Sequence, residues 1–251
     1  MNTWYKLIKK YSWFRHIYNL KEIIKNSFID DYNAENKVFV IGLNKTGTTT
    51  MEKVLKDLGY KLGNQADAEL LTDYILKKRY IFLYKYIKTA NAFQDLPFSL
   101  RNIYKLIYKK YPHAKYILTV RNDEMQWLNS LENFTKKRFE SECKEKIDLD
   151  NILLEDMKKL NYRYKNMSYN NFRRIWHGDK NIIFSDTKLF DEEYCKYYYN
   201  KHIEEVKNFF QGKNNLLIIN VEKKDSYKEL CEFLDKKTLY DEFPHLNRTK
   251  I

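Results

Sequence analysis

The sequence predicts an α/β fold, a central parallel sheet flanked by helices with a helical arm in front of it. Three observations carry that expectation. Short apolar runs at 38–41, 114–121 and 216–221 read as strands, and 91–95 reads as a short strand ending at Asp95. The segments between them place apolar residues at helical spacing, so each strand reaches the next through a crossover, and crossovers leave neighbouring strands parallel. A glycine loop, Gly42 to Gly47, joins the first strand to the helix after it.

Composition sets the outer limits. At 251 residues, 43% hydrophobic and 16% aromatic, the chain can bury one sizeable domain with an appendage. That content excludes wholesale disorder. The expected division is an arm at 1–36 and one domain at 37–251. A formal net charge of +12 favours anionic partners: nucleotides, acidic or sulfated glycans, nucleic acid or a membrane surface. Lys, Asn, Tyr and Ile are abundant together, a skew that AT-rich coding produces, so the surplus alone selects no partner. Cys143, Cys195 and Cys231 lie far apart without CxxC spacing, which argues against a structural zinc and a disulfide framework. Reduced thiols in a cytoplasmic protein are expected. No run approaches the roughly 18 apolar residues of a membrane span, and the N-terminus lacks a signal peptide's unbroken apolar core.

In the arm, Trp4, Leu7, Ile8, Tyr11, Phe14, Ile17, Tyr18, Ile23 and Ile24 recur at three-to-four spacing among Lys6, Lys9, Lys10, Arg15, Lys21 and Lys25. A basic amphipathic helix of this kind either makes peripheral membrane contact through residues 1–30 or packs its stripe on the main domain. A polar connector, 30–36, leads into the first strand. After Gly47, Met51, Val54, Leu55 and Leu58 mark a helix that Gly59 stops. Residues 66–88 are expected to be mostly helical. The second strand ends at Asp95 before Pro97, Ser99 is expected to cap the next helix, and Pro112 ends that helix. The strand at 114–121 ends in Arg121. Residues 122–212 read as polar and largely helical, with Tyr162, Tyr164, Tyr169, Arg173, Arg174 and Trp176 interleaved with lysines. A helix at 191–210, the strand at 216–221 and a short helix at 227–234 complete the chain.

Strand, glycine loop and helix start form a phosphate cradle, because loop N–H groups and the helix N-terminus point at an anion. A nucleotide triphosphate loop carries lysine directly after its second glycine. Here Thr48 holds that place, and the lysine is Lys45, two residues before Gly47. In open sheets ligands bind outside the carboxyl ends of the strands, which makes Lys45, Asp95 and Arg121 candidates for one cleft.

The loop Lys45-Thr-Gly-Thr-Thr49 resembles the 5′-phosphosulfate loop of sulfotransferases that use 3′-phosphoadenosine 5′-phosphosulfate (PAPS). Tyr111-Pro-His-Ala-Lys-Tyr-Ile-Leu-Thr-Val-Arg121 with Trp127-Leu-Asn-Ser130 is similar to their 3′-phosphate strand and helix. Tyr199, His202, Val206, Phe209-Phe210, Leu216-Leu-Ile-Ile-Asn220, Leu230-Cys-Glu-Phe-Leu234 and Phe243-Pro-His-Leu-Asn247 resemble the C-terminal part of one subgroup. The resemblance covers roughly 37–247. Two departures stand out: Ser130 lies one residue further from Arg121 than the family's serine, with Asn129 in the usual place, and Tyr227 replaces a tryptophan.

The resemblance implies sulfuryl transfer from PAPS, as co-substrate and without a metal, to a hydroxyl or amine of a carbohydrate or small-molecule acceptor. It implies no nucleic-acid partner. Lys45 would neutralise charge between phosphate and sulfate, Thr46, Gly47, Thr48 and Thr49 would hold the 5′-phosphate, and Arg121 with Asn129 or Ser130 would hold the 3′-phosphate. A general base must take the acceptor's proton. Asp95 is the first choice, with Asp67 and Glu69 as alternatives; His202 lies on an apolar helix face and reads as a core histidine. Two other functions compete: a non-catalytic binder of nucleotides or polyanions, and a P-loop kinase, which lacks its lysine after Gly47.

Overall fold

A computed structural model describes residues 3–11, 13–177 and 188–244. In chain order it contains α1 (Thr3–Lys10), α2 (Phe14–Ser27), β1 (Val38–Val40), α3 (Thr48–Asp57), α4 (Gln65–Leu70), α5 (Thr72–Leu76), α6 (Ile81–Ile87) and β2 (Ala92–Phe93). There follow α7 (Ile103–Tyr108), β3 (Lys115–Thr119), α8 (Glu124–Arg138), α9 (Met167–His177), α10 (Glu192–Phe210), β4 (Leu216–Ile219) and α11 (Ser226–Leu234). The four strands make one all-parallel sheet in the order β2-β1-β3-β4. All four expected strands are present, and the fold is the expected α/β type.

The chain divides into two compact units, 1–22 with 124–200, and 23–123 with 201–251. The second unit holds the sheet. Its strands are apolar on both faces because helices cover both. Alternation along β1 sends Val38 and Val40 toward α3 and α11, where Met51, Val54, Leu55, Leu230 and Cys231 pack. Phe39 goes to the other face, stacked on Phe93 (ring centroids 5.3 Å) and Tyr116 (5.6 Å) within a core that includes α6, α7 and Phe210.

Lys37, just before β1, is buried. Its Nζ donates to the carbonyl oxygens of Tyr32 (3.0 Å), Ile87 (2.9 Å) and Ala90 (2.7 Å) and pairs with Asp31 at 2.8 Å. Burial lowers its pKa, and the Asp31 contact opposes that shift. A buried ammonium with all three protons bonded ties the start of β1 to the ends of α6 and of the connector.

In the first unit Trp127 stacks on Tyr199 at 5.2 Å, and the Arg15 guanidinium lies 3.8 Å over the Tyr164 ring. The first 22 residues group with 124–200 in this unit. Their inner face is partly apolar, through Ile8 and Tyr18.

One local expectation, the Ser99 cap, changes, and two other stretches gain detail. Residues 66–88 form three short helices, α4, α5 and α6, with Lys78 in the left-handed region (φ 57°) between α5 and α6. Ser99 does not cap a helix: its N–H bonds to the Asp95 carbonyl at 2.9 Å in a run of tight turns, and α7 starts only at Ile103. Tyr227 is buried against Tyr240 and Phe243, and its hydroxyl accepts from the Leu239 N–H at 3.0 Å, so it serves the core. His245, Leu246 and Asn247 lie outside the described residues, as do the side chains of Arg174 and Trp176. Among the described residues no helix is long and apolar enough to cross a membrane.

Candidate active site

The glycine loop is shaped by steric need at its two ends. Gly42 lies so close to β3 that a Cβ would sit 2.1 Å from Thr119 Oγ1 and 2.4 Å from the Thr119 carbonyl oxygen. Gly47 has φ 105°, and a Cβ on it would meet Val221 Cγ2 at 2.6 Å. Between them Lys45 adopts a left-handed backbone, φ 70°. The Thr46 hydroxyl is fully buried, donates to the Leu43 carbonyl at 2.5 Å and pairs with Thr119 Oγ1 at 2.7 Å. That hydroxyl braces the loop from inside, which leaves the Thr46 backbone as its contribution to an anion site.

Helix α3 starts at Thr48. Its first helical bond runs from the Met51 N–H to the Gly47 carbonyl at 3.0 Å, so the N–H groups before Met51 have no intrahelical acceptor. They and the positive end of the helix dipole suit an anion. The Thr49 side chain is exposed beside them.

Asp95 follows β2 with φ 55°. Its Oδ1 accepts from the Leu96 N–H at 2.8 Å and its Oδ2 from the Thr48 hydroxyl at 3.1 Å. Burial pushes its pKa above the ordinary aspartate value; the two hydrogen bonds and the charge of Lys45 oppose that shift without cancelling it. A carboxyl with raised pKa beside an anion loop has the chemistry of a general base.

A chain of polar groups extends from Asp95. Gln65 Nε2 donates to the Leu96 carbonyl at 2.8 Å, which turns its Oε1 toward Gln94 Nε2 at 3.4 Å. The same Gln94 nitrogen reaches Glu52 Oε2 at 3.3 Å, one turn along α3 from Thr48. These contacts fix the amide orientation, since a flipped Gln94 would set its oxygen against two acceptors. Gln94 Oε1 is left buried with no donor. Glu69 is buried near the Gln65 amide, 3.5 Å away, while the Asp67 N–H donates to the capping Asn64 Oδ1 at 3.2 Å.

Arg121 stands just past β3. Its Nε donates to the Lys45 carbonyl at 2.8 Å, and its Nη1 pairs with Glu222, just past β4. Glu222 is set by Asn220, whose Oδ1 accepts the Glu222 N–H at 3.0 Å. The carboxyl ends of all four strands thus deliver Lys45, Asp95, Arg121 and Glu222 to one side of the sheet. Asn129 and Ser130 belong to the other unit, on α8: Asn129 is exposed, Ser130 half-buried, and Trp127, Leu128 and Leu131 form the buried face.

His202 is a core residue, as its spacing suggested. Its Nε2 donates to the Ile41 carbonyl at 2.9 Å, its ring meets Tyr104 edge-on, and burial lowers its pKa to about 4. Three groups escaped the sequence reading: Glu222, Gln94 and Thr119. Glu222 was within reach of the rule that nominated Arg121, because it too follows a strand end. Gln94 directly precedes Asp95. Thr119 carries no signal in sequence, since its role depends on the approach of Gly42.

No curated protein matches the chain. A family model described as the sulfotransferase domain matches residues 37–251, beginning one residue before β1. The glycine loop, the strand-end arginine and the parallel sheet all lie inside that span, and the chain therefore belongs to the sulfotransferase domain family and is a transferase.

Proposed function

We propose that the protein transfers a sulfuryl group from PAPS to a hydroxyl or amine of a carbohydrate or small-molecule acceptor. The observation that carries this reading is the Thr48–Asp95 hydrogen bond, which sets a carboxyl of raised pKa against the first residue of the anion-binding helix. PAPS supplies an activated sulfuryl group on a phosphate leaving group. Lys45 stabilises the negative charge that gathers on that phosphate. Gly47, Thr48 and Thr49, with the backbone of Thr46, hold the 5′-phosphate at the helix start. Arg121, with Asn129 or Ser130, holds the 3′-phosphate. Asp95 accepts the proton of the attacking hydroxyl or amine. Asp67 and Glu69 are the alternative bases; the hydrogen bond from Thr48 at the start of the anion-binding helix favours Asp95.

The acceptor side is rich in hydrogen-bond acceptors: Glu52, Glu69 and the unpartnered Gln94 Oε1. That supports an acceptor bearing several donors, such as a polyol or amino sugar. Titration calorimetry with 3′-phosphoadenosine 5′-phosphate (PAP) and with Mg-ATP tests the reading. Tighter binding of PAP in the absence of magnesium is expected, and a preference for Mg-ATP would overturn it in favour of a kinase.

A further inference from the structure

The face that α2 turns to solvent is its apolar one. Trp13, Ile17, Leu20, Ile24 and Phe28 follow one another at steps of three or four residues, so they share one side of the helix and its two flanking positions. All five are between 44% and 86% exposed. The inward side carries Arg15, Tyr18, Asn19 and Asn26, which are buried. An ordinary surface helix is oriented the other way. The stripe extends about 22 Å along the helix and lies wholly outside the matched domain at 37–251. Contiguous exposed apolar surface of this extent marks an interaction site.

The charges beside the stripe identify what covers it. Exposed Lys21 and Lys25 flank it, with exposed His16 near its start and exposed Lys6 on α1; the acidic residue of α2, Glu22, is half-buried. Apolar side chains bordered by lysines, with a tryptophan at one end, match a lipid surface carrying anionic headgroups. A second copy fits poorly. In a two-fold antiparallel pairing of α2 with itself, Lys21 near the middle of the stripe would face its own equivalent. We propose that α2 lies in the interface of an anionic membrane, with Trp13, Ile17, Leu20, Ile24 and Phe28 in the acyl boundary and Lys21 and Lys25 at the headgroups. The attachment is peripheral and independent of the transfer chemistry.

Flotation of the full chain with vesicles tests this, using phosphatidylcholine alone and phosphatidylcholine with phosphatidylserine. The wild-type chain is expected to float with the phosphatidylserine vesicles. Leu20→Asp/Ile24→Asp should reduce partitioning by tenfold or more at unchanged melting temperature. Lys21→Glu/Lys25→Glu should reduce it by about fivefold per lysine on anionic vesicles. Failure of the wild-type chain to float, or flotation indifferent to Leu20→Asp/Ile24→Asp, overturns the proposal. So does a dimer in sedimentation that this variant dissociates, which would assign the stripe to a second copy. A fall of several degrees in melting temperature would show the stripe to be covered within the protein and would overturn it equally.

Discussion

Thr48 donates its hydroxyl to Asp95 Oδ2 across 3.1 Å, tying the first residue of α3 to the loop that ends β2. In the proposed reaction this bond couples the base to the anion loop. It favours the ionised carboxyl, while burial favours the protonated one, and burial is the larger effect.

Replacing Asp95 by Asn should therefore lower turnover by about 10²- to 10⁴-fold while leaving PAP affinity nearly intact. The wild-type rate should rise with pH through a limb lying above the ordinary aspartate value of 3.8, because the base must lose its proton. The same shift has a stability consequence of opposite sign. The folded state holds this proton more tightly than the unfolded chain, so the contribution of Asp95 to stability is full at low pH and is lost as pH rises through the raised value. Asp95→Asn should melt no lower than wild type at neutral pH. A large loss of PAP binding would show that the residue shapes the loop instead.

Lys45→Ala should reduce turnover by about 10²- to 10³-fold, the usual cost of removing one preorganised charge from a developing anion. Arg121 keeps its bond to the backbone carbonyl of residue 45 in this variant, so PAP binding should fall much less. Single-turnover assays with labelled PAPS separate the two effects, and unchanged turnover would dismiss the role of Lys45.

Glu222 already pairs with Arg121, and a 3′-phosphate bound as proposed would have to share or displace it. The pair is partly exposed, which limits its strength. Glu222→Gln should tighten PAP binding by up to about fivefold at low salt, with Arg121 still positioned by the Lys45 carbonyl. Weaker binding in calorimetry would mean that Glu222 orients Arg121 and does not compete for it.

Thr119 braces the loop from below. Thr119→Val removes the hydroxyl that pairs with Thr46 and should cost about 1–2 kcal/mol. Gly42→Ala should cost more, about 3 kcal/mol or failure to fold, because the added carbon collides with backbone atoms of β3 that cannot move aside. Thermal melts of the two variants should rank in that order.

What sequence spacing reveals depends on how local the cause is. Three of the strands were legible as short apolar runs, and Lys45, Asp95 and Arg121 were nominated because each follows a strand end. The direction of the Thr46 side chain was not legible because it is set by Thr119, which is distant in sequence. Periodicity marked an apolar stripe in α2 but carries no information on which side tertiary packing will bury. Buried Arg15 and Asn19 show that the polar side won. Ser99 had the residue type of a cap, yet the turn that starts at Asp95 consumed its backbone N–H. Asn129 and Ser130 differ by one helical step, about 100° of rotation, so their order in the chain alone could not choose between them.

His202 should dominate the acid side of the stability curve. Its folded pKa, about 4, lies below the unfolded value of 6.5 because the ring is buried; the bond from Nε2 to the Ile41 carbonyl opposes that shift without cancelling it. The unfolded chain then binds more protons across that window. Stability present above pH 6.5 is lost as pH falls toward 4, by up to about 3 kcal/mol. Glu205 moderates the shift and Arg101 reinforces it; their own bidentate pair (2.7 and 2.9 Å) holds the Glu205 carboxyl below its usual range, so its loss comes at still lower pH. Denaturant titrations at successive pH values should show the decline in wild type and a flatter profile in His202→Gln. An equally steep decline in that variant would move the acid sensitivity to another group. A flat wild-type profile would mean that His202 takes up its proton without leaving the core.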